Sequence, residues 1–435
     1  MTPLSSSLSV ASLIALVQQK FSMIPDPRTS AESMGIPLVD HLMSGLAIFG
    51  LKFPSLLEYD RTKKNLPVEE NLRTLYLVNT PPSDTYLRER LDEINPSYLR
   101  PVFKQLFSTL QRSKRLEKFV FLGGYYLLGL DGTQTFSSEK VCCKNCCVKK
   151  YSNGTEGYYH QMLGACILHP DQSCVIPLFP EMIQNSDGNE KNDCERNAAS
   201  RFLEKFRKEH PHLQVIIVED GLSSNAPHIH DLERHNMKYI LGAKPGDHQF
   251  LFKQHEDSDQ TVYHEFRDEK GFFHQFSFTN GLSLNKANQS LKVNFLEYRQ
   301  TCPKGKETHF SWVTNITITK ENVYQIMRGG RARWRIENET FNTLKNSGYN
   351  LERNYGHGKE HLSSILSMLM MLAFLIDQIQ LLGCEHYTAA KKKAGTFKGL
   401  WSRMRTFFEC LILSSWEQLY GIISKKIQLM IFDSS

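Results

Sequence analysis

Three acidic residues stand out by their surroundings. Asp131 follows an aromatic and aliphatic run over residues 119–130, and Asp220 follows Val215-Ile-Ile-Val and Glu219. Glu337 falls on the Trp334, Glu337, Phe341, Leu344 stripe of a helical pattern. Two carboxylates at the ends of buried strands and a third on an apolar helix face repel one another unless cations lie among them. Each placement also has a plainer reading. Asp-Gly is a common turn dipeptide, so Asp131-Gly132 or Asp220-Gly221 alone reads as a turn, and Arg333 with Glu337 four residues on makes an ordinary helix ion pair. Glu219 competes with Asp220, but strand neighbours point to opposite faces, so only one of them can face a site. Arg328, Arg331, Arg333 and Arg335 crowd what reads as a helix start after Gly329-Gly330. Positive charge there opposes the helix dipole unless an anion such as phosphate is near.

The elements that must position these groups divide the chain into five stretches. Residues 1–118 show helical periodicity broken by Pro81-Pro82 and Pro96, an all-α N-terminal domain with a candidate DNA-binding helix near Thr85–Asp92. Such basic patterns also occur on the solvated face of a helix bundle. Residues 119–246 alternate strand, helix and strand, the mark of an α/β sheet in which functional groups gather at strand ends. Residues 247–319 turn β-like, with alternation over 260–266, 291–298 and 309–318, an inserted β-rich subdomain. Residues 320–383 carry the glutamate helix and a further apolar helix, and 384–435 form a basic helical tail. The fold class is therefore α/β.

Composition narrows the chemistry. The net charge of +6 over 435 residues is modest but clustered near 144–150, 328–335 and 391–405, which suits a polyanion better than a small acidic molecule. Ten cysteines lie mostly in the knot 142–147, unlike the spaced pattern of a disulfide framework, and no secretory signal is read at the start. Reducing cytoplasm is the expected compartment. The apolar run 365–376 is too short to span a bilayer and reads as a core helix. Cys143-Lys-Asn-Cys146 has the step of a zinc half-site, with Cys142 and Cys147 one residue wider on each side. Completing it would take scattered residues such as His160 or Cys194; the alternative is a group of reduced thiols in a turn past the first acidic strand.

The blocks Leu130-Asp131-Gly-Thr-Gln-Thr-Phe, Glu219-Asp220-Gly-Leu-Ser-Ser and Arg333-Trp-Arg-Ile-Glu337-Asn-Glu-Thr-Phe, in this order and context, resemble the catalytic blocks of DDE-type transposases of bacterial insertion sequences. The resemblance extends to residues 187–195 and 348–358. It implies a ribonuclease H-like catalytic core interrupted by the β-rich insertion. Asp131, Asp220 and Glu337 would be catalytic metal ligands, with Mg²⁺ or Mn²⁺ favoured by hard oxygen donors. Arg328, Arg331, Arg333, Arg335 and Lys345 would contact DNA phosphates. The partners implied are the double-stranded DNA of transposon ends and target, with a homodimer or larger assembly when two ends are synapsed, at the nucleoid. Relatives often carry a tyrosine where this chain has Gly330 and a lysine where it has Leu344. Lys345, eight residues past Glu337, would still lie within about 80° of it on a regular helix. A nuclease that cuts without joining, and an inactive DNA-binding descendant, are the rival readings.

Overall fold

In a computed structural model the chain is described over residues 8–28, 35–187 and 191–427. Residues 188–190 of the 187–195 block, and the side chain of Cys194, lie outside what is described. β-branched and aromatic runs form the central sheet: β1 (Tyr125–Ser138), β2 (Cys147–Lys150), β3 (Glu156–Leu168), β4 (Val215–Glu219) and β5 (Lys238–Gly242). It continues through β6 (Val262–Arg267), β7 (Phe273–Ser283), β8 (Lys292–Thr301) and β9 (Glu307–Thr314). The order is β2-β3-β1-β4-β5-β9-β8-β7-β6, and short strands flanking it bring the sheet to 12 strands among the described residues. The β2–β3 and β3–β1 pairings are antiparallel, β1, β4 and β5 are mutually parallel, and every later pairing is antiparallel. The β-rich stretch thus extends the same sheet, with Trp312 of β9 paired to Gly242 of β5. β7 is a fourth strand beyond the three alternating runs.

One expectation about the first acid is corrected. Asp131 does not end its strand; β1 continues to Ser138, with Gly132 paired to Leu163 and Thr133 to Met162 on β3. The ladder overrides the turn tendency of Asp-Gly, because leaving those backbone groups unpaired in a covered sheet costs more than a local turn returns.

The helices Val10–Phe21, Leu38–Gly50 and Asp84–Asp92 pack with Leu362–Gly383, and buried side chains from Leu8 to Ile423 form one continuous core. Leu362–Gly383 is 22 residues long, longer than the apolar run suggested. By length and composition it could cross a bilayer, yet 89% of its most apolar window is buried inside the protein. Chain ends interlock around it: the Asn71 amide donates to Phe408 O at 2.8 Å and to Leu411 O at 2.6 Å, and Trp416 donates to Leu75 O at 3.0 Å. Lys52, Tyr349, Asp377 and Trp401 meet in a buried cluster.

The start of Leu362–Gly383 is capped from afar. Asp92 accepts from the backbone N–H groups of Lys359, Glu360, His361 and Leu362 at 2.8–3.0 Å. Burial alone would raise the pKa of this carboxyl; the N–H donors outweigh it and hold Asp92 below the ordinary range. Its contribution is then present above the unfolded value and lost as pH falls through the folded one. Asp92→Ala is expected to cost about 1–2 kcal/mol in urea unfolding at neutral pH. The gap from the parent protein should narrow as pH falls below the ordinary aspartate range of about 3.9. A gap independent of pH would mean the carboxylate charge is not what caps this helix.

Candidate active site

The parallel register of β1 and β4 brings the first two acids together. Gly129 pairs with Val218, so the next residues in step set Asp131 beside Asp220, with both side chains on the same face. Asp220 leaves the strand and accepts from Leu222 N–H at 3.0 Å, starting a tight turn. Glu219 takes the other parity. It is buried and bonded to His228 Nε2 at 2.6 Å, on a helix (Ala226–Arg234) capped by Asn225. Burial would lower the His228 pKa, but Glu219 prevails and holds it raised, so the competitor acid is spent on an internal ion pair.

Glu337 reaches the pair on a helix whose course differs from the sequence reading. The helix starts at Val323, before the glycines, and runs through Ala332 into a π-helical turn, Ile336–Phe341, and then Asn342–Asn346. Gly329 and Gly330 do not mark a boundary but are packing glycines. A Cβ on Gly329 would press on Ile240 and Phe121, and one on Gly330 would run into the Trp312 indole. Trp312 therefore fills the space beside Gly330. The π turn shifts the buried face to Ile336, Thr340, Phe341 and Leu344. Trp334 (43% exposed) and the Glu337 side chain (49% exposed) point outward, correcting the expectation that Glu337 lies on an apolar face. Inserted π turns recur at functional sites because they re-aim side chains. Two small residues let this helix settle on the sheet: Phe341 lies where a Cβ of Gly164 would be, and Ile336 is next to Gly129. Gly164 is the cross-strand partner of Asp131, so the docking contact and the acid share one spot.

Arg333 bridges the acids, with Nη1 2.7 Å from Glu337 Oε1 and 3.7 Å from Asp131 Oδ2. Burial pushes the Asp131 carboxyl up to about 7; Arg333 opposes this, while Glu337, Asp220 and Glu195 add to it. Glu195, which sequence reasoning did not single out, comes near Asp131 from the opposite face of the sheet, the face of Gly132 and Glu219. Its Oε1 accepts from Gln161 Nε2 at 2.5 Å, and both atoms occupy the space a side chain on Gly132 would fill. Asp131, Glu195, Arg196 and Asp220 line one small cavity together with the Glu219–His228 pair. A glycine immediately after the acid, inside a strand rather than a turn, was the available signal for this close approach.

The cations distribute unequally. Arg328 pairs with Asp171, Arg335 donates to Pro170 O at 2.6 Å and neighbours Glu339 at 3.6 Å, and Lys345 pairs with Glu352 at 2.7 Å. Arg331 donates to Gln300 at 3.2 Å and lies over the Phe310 ring. Arg331 sits in the last turn of Val323–Ala332, where the dipole favours cations, so it does not strain a helix start as the sequence implied. The regular-wheel estimate for Lys345 fails too, because the π turn intervenes. Next to the acids, Lys244, Arg331, Arg333, Phe310, Trp312 and Trp334 line a groove that includes Asp220.

Residues 148–375, or 228 of 435, match the family model of the transposase DDE domain. This chain belongs to that transposase family. Among solved structures the transposase is similar to a cryo-EM structure of a piggyBac transposase synaptic complex with hairpin DNA. The two are 12% identical with a TM-score of 0.40, covering 99% of this chain and 86% of that one. No curated protein sequence matches it.

Proposed function

We propose that this transposase cuts the DNA ends of its own element and joins the freed 3′-hydroxyls to target DNA, with Asp131, Asp220 and Glu337 holding divalent cations. The observation that carries this reading is the register match of Asp131 with Asp220 beneath Glu337, where the carboxylate charge is only partly offset by Arg333. Only oxygen donors converge there, which fits Mg²⁺ or Mn²⁺ rather than a thiolate-seeking metal. Such ions, when bound, supply Lewis acidity toward the phosphate and lower the pKa of attacking water. Asp131, biased toward holding a proton by burial and its acidic neighbours, would hold a cation in its ionised form. Arg333 holds Glu337 toward Asp131 and turns its remaining donors to a phosphate oxygen. The sheet order β2-β3-β1-β4-β5, antiparallel and then parallel, supports a ribonuclease H-like core, with residues 1–118 and 384–435 as helical flanks. Double-stranded DNA would follow the groove of Lys244, Arg331 and Arg333, past the exposed Trp334. Synapsis of two ends calls for at least a dimer acting at the nucleoid in the cytoplasm.

Incubating the full chain with duplexes carrying the DNA that flanks its gene, with Mg²⁺, tests this. Ends cut to 3′-hydroxyls and joined to a second duplex are expected. Cutting without joining would make it a nuclease, and no metal-dependent cutting would refute the reading. Binding should also fall linearly with salt on log–log axes, and Arg331→Ala should reduce that slope by about one. Arg335→Ala, whose guanidinium is taken up by Pro170 and Glu339, should change the slope less. Equal slopes for the parent and Arg331→Ala would place the DNA elsewhere.

A further inference from the structure

Away from the carboxylates, whose oxygens are held apart by Arg333, the described residues hold one close convergence of ligand atoms. Cys143 and Cys146 lie in the turn between β1 and β2, His160 is on β3, and His357 follows the glutamate helix. Their Sγ and Nε2 atoms all fall within 4.8 Å of one another. Cys143 Sγ is 3.8 Å from Cys146 Sγ and 3.5 Å from His160 Nε2. Cys146 Sγ is 3.5 Å from His160 Nε2 and 3.2 Å from His357 Nε2, and the two Nε2 atoms are 3.1 Å apart. A tetrahedral zinc ion with Zn–S of about 2.3 Å and Zn–N of about 2.0–2.1 Å separates its ligands by roughly 3.8 Å for S···S, 3.5–3.6 Å for S···N and 3.3–3.4 Å for N···N. Five of the six separations match these spacings within about 0.4 Å, and the sixth, Cys143 to His357, lies within 4.8 Å. A disulfide does not fit, since its sulfurs stand about 2.05 Å apart.

The surroundings prepare these atoms for a cation. His357 Nδ1 donates to Gly358 O at 2.8 Å, which turns the bare lone pair of Nε2 inward. Cys143 N–H lies 3.4 Å from Cys146 Sγ, a donor suited to a thiolate. Phe136 packs against both imidazole rings and closes the cluster off; Cys146, His160 and His357 are buried. Outside it, Lys144 and Asn145 bond to Glu360 at 2.5 and 3.1 Å, so the two chain segments are already aligned. We infer that Cys143, Cys146, His160 and His357 form a structural zinc site, which ties the strand pair carrying Asp131 to the segment that follows the Glu337 helix. The four-ligand set is closed, with no open position for substrate, so its role is to fix the two walls of the active site relative to each other. The sequence supplied the Cys-x-x-Cys half and named His160; His357, 211 residues beyond Cys146, is brought in only by the fold.

The test is metal analysis of the full chain expressed without a histidine tag. About one zinc per chain is expected, retained in Cys142→Ala and in Asp131→Asn, and reduced to about a tenth or less in Cys146→Ser and His357→Ala. Exchange of the parent protein into Co²⁺ alone should give thiolate-to-cobalt charge-transfer absorption with tetrahedral d–d bands, a signature the carboxylate centre cannot produce. That readout does not depend on whether a ligand variant folds or on DNA cleavage. Folded parent protein with far less than one zinc and no thiolate–cobalt band would overturn the site, as would zinc lost in Asp131→Asn but kept in His357→Ala.

Discussion

Lys52→Met is expected to destabilise the protein by about 3–5 kcal/mol, because it leaves the Asp377 carboxylate buried without its cation. Lys52 Nζ lies 2.5 Å from Asp377 Oδ2 and donates to Gly50 O at 2.9 Å, and the two residues are 3% and 5% exposed. The Tyr349 hydroxyl donates to the same carboxylate, and Nζ lies 4.3 Å from the Tyr349 ring centroid and 4.5 Å from that of Trp401. Burial pushes the lysine pKa down and Asp377 pulls it back up. Removing either partner therefore strands a desolvated charge, whereas replacing both with apolar groups removes the cost together with the attraction. Lys52→Met combined with Asp377→Leu should lose clearly less than the two single changes summed, a coupling that a double-mutant cycle in urea reads directly. Additive losses, or a single loss under about 1 kcal/mol, would show the pair behaves like a surface ion pair.

Glu337→Gln is expected to reduce divalent-dependent DNA cleavage by about a thousandfold or more, since several kcal/mol of transition-state stabilisation rest on the metal ligands and each tenfold is about 1.4 kcal/mol. Its effect on folding should be small. The side chain is half-exposed and its stabilising contact is the helical pair with Arg333 at 2.7 Å, worth about 0.3–0.5 kcal/mol at such a site. Thermal midpoint and DNA affinity should stay near those of the parent while turnover disappears. Glu337→Gln protein that cuts at the parental rate would remove this residue from the centre, and a large fall in stability would make it a folding residue.

Local sequence disclosed the parts of the site built from contiguous pattern. Val215-Ile-Ile-Val reads as a buried strand and is one, so Asp220 at its end was placed correctly; β1 was located but cut short, because Asp-Gly looks like a turn until β3 is known to pair through it. The glutamate helix was misphased for two reasons. Gly329 and Gly330 resemble a boundary but are there to admit Ile240, Phe121 and Trp312, and a π turn adds a residue to the repeat, so Trp334 and Glu337 rotate out and Ile336 rotates in. No periodicity signals such an insertion. Glu195 and His357 arrive from distant segments, and their neighbours in space (Gly132 and Gln161 for one, Cys146 and His160 for the other) are set by sheet register and helix docking rather than by spacing along the chain.

Mn²⁺ binding to the parent chain, Asp131→Asn, Asp220→Asn and Glu219→Gln, followed by calorimetry or electron paramagnetic resonance without DNA, tests most directly that Asp131 and Asp220 share a cation site. Binding by the parent and by Glu219→Gln, with at least a tenfold loss in each aspartate variant, is the expected result. Parental Mn²⁺ affinity in Asp220→Asn together with lost binding in Glu219→Gln would contradict it, and would place the second ligand on the acid bonded to His228.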